Sequence, residues 1–417
     1  MVGYPGHTAV DSDGTIAQKT RDHVLSRVIE GWTKTVDASK LAASEPNPGD
    51  IVFTGSFDEV NNYYYGKKWG DGLPIMPPTI PAVNEFLKYT PLSPDTNLGL
   101  LKPAYRAATV WSVAVNGVMA GCRPEYMPVL VAIARAFADP RWDIQDRGST
   151  IGWEPMAILN GPLMRQLGFN YGVGMFRAGT KANISVSRFM ALYLRNIAGF
   201  VAGASDKSAF GREQFPLAFV EDELNTTWEP LHVTLGFKKS SNVVTLAGIQ
   251  TMSKMVQPSA SDPSVMLDKL AFLMKYELLQ RGHVTALASK ENHDLLIMTP
   301  LIANLIAQKY TKAQAAAYLY EKTKLPARMW DERIWSEMGG TLNTIRVAYP
   351  EVFQKSTDPD RLVPVFSLPE QLVIVVGGDY LRNRAWLGGG VGHMGLMTSK
   401  EVQLPKNWDA LVPGVLS

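Results

Sequence analysis

The sequence predicts an α/β fold: a mainly parallel sheet with helices on both faces, arranged as two related α/β halves behind a helical N-terminal extension. Three observations carry this expectation. Short, β-branched apolar runs alternate with longer helical patterns from residue 109 onward. The runs end in small or turn-forming residues: NGVMAGC, NGP, AG, TP and GGD. A short internal echo, WEPMAILNG at 153–161 and WEPLHVTLG at 228–236, hints at duplication.

Residues 1–17 are small and polar and read as an arm. Residues 18–36 place Val24, Leu25, Val28 and Ile29 on one helical stripe. The segment EPNPGD (45–50) breaks that helix and leads into FDEVNNYYYGKKWGDGLPIMPPT (57–79). Strands are predicted at 109–115, 156–160, 243–247, 295–299 and 371–376, where the runs are apolar and bounded by turn residues. Helices are predicted at 125–138, 184–198, 264–281, 311–324 and 331–347, with Pro128 in a first turn, where its missing N–H costs little. The resulting organisation is an extension over 1–64, a first α/β half over 65–240 and a second over 241–417.

A chain of 417 residues with 46% apolar and 19% charged residues has ample core material for that plan. A formal charge of +2 argues against nucleic acid as a main partner. One cysteine rules out an internal disulfide and a cysteine-built zinc site, which fits a reducing cytoplasm. The N-terminus lacks the pattern of a signal peptide, and no long apolar run predicts a membrane span. The six histidines show no metal-ligand spacing, and no cofactor is identified.

In open parallel sheets, ligands bind beyond the carboxyl ends of the strands, so polar groups there are the first candidates. Cys122 lies between Gly121 and Arg123, ahead of a predicted helix. A helix N-terminus and a guanidinium would both favour its thiolate, although a free cysteine is equally at home as a small buried side chain. Asn116, Arg123 and Glu125 share its turn and could hold a polar substrate. Asn160 closes the next predicted strand. Asp71 sits between two glycines in a proline-stiffened loop, either a cleft wall or a surface wrap. Arg177 and Lys181 stand among glycines before a helix that takes in Asn183, an arrangement suited to a carboxylate or phosphate but without a P-loop or dinucleotide fingerprint. Glu229 and His232, three apart, could exchange protons. Late in the chain, His393 lies in a glycine-rich segment that could close over a ligand.

The stretches WGDGLPIMPPT, VAVNGVMAGCRPEYMPVLVAI, ILNGPLMRQLG, GTKANISVSR and WEPLHV together resemble a bacterial family found beside or fused to proteins that carry a UGSC motif, whose first residue is selenocysteine or cysteine. The resemblance spans roughly residues 65 to 325. It implies a link to thiol or selenol redox chemistry supplied by a companion protein. This chain has no CGSC or UGSC of its own, and its GGDYLRNRAW segment departs from the expected tail.

The sequence therefore predicts a cytoplasmic enzyme, or catalytic subunit, acting on a small polar and anionic metabolite gripped by Arg123, Arg177 and Lys181. Thiol-linked reduction and carbon–heteroatom lyase or hydratase chemistry both remain open. The competing reading is a non-catalytic subunit that binds a protein partner through the aromatic stretch NNYYYGKKWGDG. An oligomer is expected on the same ground.

Overall fold

A computed structural model describes residues 3–6, 10–34, 46–142, 144–149, 152–209, 216–253, 255–281, 293–338, 358–366, 368–389 and 395–413. The chain divides into two compact units, Met1–Val52 and Phe53–Ser417. In the first, Ser12 caps α1 (Asp13–Lys19), and a π-helical stretch at Thr20–Leu25 leads into α2 (Ser26–Thr33).

The second unit begins with α3 (Phe57–Gly66), closed at its start by a Ser56–Glu59 capping box, and α4 (Ile80–Leu87), capped by Thr79. A hairpin of β1 (Asn97–Leu101) and β2 (Arg106–Thr109) follows. The next run, expected as a strand at 109–115, is instead the helix α5 (Val110–Met119). Thr109 and Ser112 form a capping box that satisfies its first turn, and Val110, Val113, Ala114, Gly117 and Val118 are all buried. The helix is enclosed on several sides, so apolar residues fill most of its positions and the alternation that separates strand from helix is lost.

Beyond it come α6 (Met127–Phe137), β3 (Glu154–Asn160), α7 (Pro162–Gln166), α8 (Lys181–Tyr193), β4 (Leu217–Val220), α9 (Leu231–Thr234), β5 (Val243–Ile249) and β6 (Thr251–Met252). The remainder is α10 (Pro263–Arg281), β7 (Asp294–Met298), α11 (Pro300–Ala307), α12 (Lys312–Lys322), β8 (Leu325–Pro326), α13 (Ala327–Met338), β9 (Leu362–Val363), β10 (Leu372–Val376), β11 (Ala385–Gly389), β12 (Thr398–Glu401) and α14 (Trp408–Leu411).

Two four-stranded sheets dominate, in the orders β12-β5-β3-β4 and β6-β11-β7-β10. Each is mixed, not mainly parallel. β3 runs parallel to β4 and β7 to β10, while every other pairing in the two sheets is antiparallel. The sheets share one connectivity, down to matched bonds at the strand ends: Glu221 N–H donates to Leu159 O at 3.0 Å, and Gly377 N–H to Met298 O at 3.0 Å. Their outer strands are exchanged. β6 follows β5 but pairs with β11, and β12 follows β11 but pairs with β5. The 153–161 and 228–236 echo does not mark this correspondence, because the first segment holds β3 and the second the one-turn helix α9.

Side-chain alternation sets the layers. Met156, Ile158, Phe219 and Ala247 from one sheet share a core with Leu295, Ile297, Val373 and Val375 from the other. The intervening residues Ala157, Leu159 and Val220 pack under α5, α6 and α8, whereas Leu296, Met298 and Ile374 pack under α10 to α13. Helices thus cover only the outer face of each sheet, giving a helix–sheet–sheet–helix stack where helices on both faces were expected. Among the described residues, no helix is long and apolar enough to cross a membrane.

Candidate functional site

The parallel pairs place two strand ends side by side. β4 leaves its sheet at Val220, and two residues on, Asp222 N–H donates to Val376 O at the end of β10, at 2.8 Å. The chain then carries three acids in a row, Glu221, Asp222 and Glu223. Asp222 is 1% exposed and accepts from the backbone N–H groups of Leu224 and Asn225 and from the Asn225 side chain. Its neighbours turn towards the end of β3. Asn160 Nδ2 donates to Glu221 Oε2 at 2.8 Å and to Glu223 Oε1 at 3.0 Å. Gly161 N–H adds a 2.7 Å bond to Glu223 Oε1. Gly161 has φ +103°, and a Cβ there would lie 2.5 Å from Ser241 O, so only glycine lets this N–H face the carboxylate.

Glu221 is the anchor. Lys312 Nζ, from the start of α12, approaches its Oε1 to 2.7 Å, and Leu231 N–H donates to its Oε2 at 2.6 Å. His232, wholly buried on α9, places Nδ1 3.9 Å from Glu223 Oε1. Two buried polar atoms of this group have no hydrogen-bond partner: Asn160 Oδ1 and His232 Nδ1. Buried polar atoms are nearly always satisfied in folded proteins, so a pair of orphans within one cluster marks a place where a further polar group fits. Among the described residues, no group of three or more His, Cys, Asp or Glu side chains is placed to hold a metal.

Glu229, the expected partner of His232, is exposed and outside this cluster. A carboxylate three residues ahead faces the histidine only if one helix carries both, and here the helix begins at Leu231, after Pro230. Glu223 takes that position instead. Glu221, Glu223 and Lys312 complete a site in which the sequence had picked out Asn160 and His232. The EDE run next to WEPLH was the visible signal for the first two, and nothing local marks Lys312.

Cys122 lies elsewhere in the unit, at a helix–helix turn and not at a sheet edge. Gly121, at φ +75°, ends α5 in a Schellman arrangement, with Cys122 N–H donating to Gly117 O at 3.0 Å and Gly121 N–H to Val118 O at 2.8 Å. The thiol is 8% exposed, and burial pushes it up to about 12, although Ser185, Lys181 and Arg188 nearby pull the other way. The expected lowering by a helix N-terminus and Arg123 is absent. Arg123 is held by Glu125 at 3.2 Å, a bond that in turn raises its own pKa.

Asp71 does join this second group, as a clamp. Arg188 on α8 grips both carboxylate oxygens, at 2.8 and 2.9 Å, and also donates to Pro74 O at 2.9 Å. Burial alone would raise the Asp71 carboxyl, but the Arg188 bonds and charge hold it below the ordinary carboxylate range. Together with Asn61 Oδ1, which accepts from Ile75 N–H at 2.7 Å, they tie down the proline-rich loop. Asn183 is a staple: its buried amide accepts from Asn170 N–H at 2.8 Å and donates to the carbonyls of Asn170, Met175 and Ala218. Asn116 accepts from Asn196 Nδ2 at 2.8 Å and donates to Ser112 O. Arg177 and Lys181 are exposed. His393 lies outside the described residues.

Searches of family models, curated proteins and solved structures return no match to this chain.

Proposed function

We propose that the protein is an enzyme that uses general acid–base chemistry on a small polar molecule at the carboxyl ends of β3 and β4. Glu223 and His232 transfer the proton, Asn160 and Gly161 N–H hold Glu223 in place, and the Lys312–Glu221 pair fixes the surrounding backbone. The observation that carries this reading is the unpartnered His232 Nδ1, 3.9 Å from Glu223 Oε1. Catalytic hydrogen bonds are often long before substrate binds and tighten in the complex. Addition or removal of water or another small group across a carbon–heteroatom bond fits this equipment. Three acids against one lysine suit an uncharged or cationic substrate better than the anion anticipated from Arg123, Arg177 and Lys181. A buried thiol raised to about 12 argues against Cys122 as the reacting group. In this reading, the redox link that the resemblance implies would draw on a companion protein's thiol or selenol.

The test is a turnover screen of the purified chain against mixed small polar metabolites, followed by mass spectrometry. We expect consumption of at least one compound, reduced about 10²- to 10⁴-fold by Glu223→Gln. Turnover unchanged by that substitution removes Glu223 from the chemistry.

A second reading rests on a separate observation. Phe57, Tyr65, Leu73, Met76 and Ile80 are exposed apolar side chains within one short stretch, as expected of an interface. Light scattering on the purified chain tests it, with a monomer at micromolar concentration counting against self-association.

A further inference from the structure

A cavity beside the loop after β4 shares no lining residue with the acid–base cluster, and no charged side chain lines it. It has a volume of about 540 Å³, the range of small-molecule sites. Its walls are fixed. Asn225 is held from behind by Asp222, Asn304 donates to Asn225 O at 2.7 Å and accepts from Thr227 N–H at 3.1 Å, and Asn383 donates to Pro258 O at 2.8 Å. Met266 and Leu305 provide an apolar surface. Three further polar side chains, Ser259, Gln308 and Tyr380, line the space, and their side chains hold no hydrogen bond among the described residues.

From this lining we infer a second ligand site, one that takes an uncharged ring-bearing molecule with an amide or lactam edge. The argument does not depend on the acid–base reading. A carboxamide such as Gln308 presents an N–H donor beside its carbonyl acceptor and so pairs with another amide through two hydrogen bonds. The apolar wall takes the ring. An anion would meet no cation in the lining and would approach the buried Asp222 carboxylate behind Asn225. Rigid walls with free polar groups at the lining are what a preformed site requires, because little ordering remains to be done when the ligand arrives.

Benzamide and benzoate share a ring and differ in charge and donor capacity, so they serve as the probes. Saturation-transfer NMR titrations on the full chain should show benzamide binding at least about tenfold more tightly than benzoate. Gln308→Ala should weaken benzamide about five- to tenfold, as expected for loss of its hydrogen bonds. Leu301→Trp, placed at a half-exposed lining position, should fill the space and abolish binding. If that variant melts early, Gln308→Ala decides the matter alone. Equal binding of the two probes, no benzamide binding, or a benzamide affinity unchanged in Gln308→Ala overturns the inference. Loss of turnover in Glu223→Gln has no bearing on any of these results.

Discussion

Alkylation of Cys122 gives a measurable consequence of its burial. With its pKa at about 12, about one thiol in 10⁴ is ionised at pH 8. An unperturbed cysteine, with a pKa near 8.5, is about one quarter ionised at the same pH. The thiolate is the nucleophile, so ionisation alone predicts native labelling about 2,000-fold slower than labelling of the denatured chain, before any steric protection is counted. The assay is iodoacetamide labelling at pH 8, followed by mass spectrometry, with and without guanidinium. The chain has one cysteine, so the mass shift reports a single site. A native rate within tenfold of the denatured rate would refute the reasoning and return Cys122 to the list of reactive groups.

Three further outcomes follow from the contacts. Asp71→Ala should destabilise the protein by about 1–3 kcal/mol, between the values for exposed and buried ion pairs, since each partner side chain is 21% exposed; denaturant melts measure it, and a loss below about 0.5 kcal/mol would mean the clamp is idle. Asn183→Ala should cost about 2–4 kcal/mol by stranding the buried backbone groups its amide serves, with calorimetry as the check. The Asp139 carboxyl is held below the ordinary range chiefly by Arg141, with help from Lys400 and against burial. Its folded pKa is depressed, so its contribution is present above an unfolded value of about 4 and is lost as pH falls through the folded value. Asp139→Asn should therefore be less stable than the parent at pH 7, with the gap narrowing under acid denaturation at lower pH.

Four of the five predicted strands were legible because their apolar runs are short and end in turn residues: Glu154–Asn160, Val243–Ile249, Asp294–Met298 and Leu372–Val376 lie where the pattern placed them, whereas Leu217–Val220, Ala385–Gly389 and Thr398–Glu401 were not predicted. Their senses were not legible. β5 runs antiparallel to β3, so its Ala247–Gly248 end lies at the opposite edge from Asn160, which pairs with Val243. The pattern at 109–115 misled because a helix enclosed on several sides carries the same apolar residues as a buried strand. In the candidate site, Asn160 and His232 could be picked out from a strand end and from residue type. Glu229 was preferred to the upstream Glu223 because the sequence does not show that the helix starts after Pro230. Lys312 reaches Glu221 across 91 residues of chain, a pairing set by tertiary packing alone.

The most direct test of the acid–base assignment compares three variants in one turnover assay on whichever compound the wild-type protein consumes. The account predicts that Cys122→Ala retains turnover within a fewfold of wild type, whereas Glu223→Gln and His232→Asn lose it with their melting temperatures preserved. Turnover that vanishes in Cys122→Ala and survives in Glu223→Gln would contradict it.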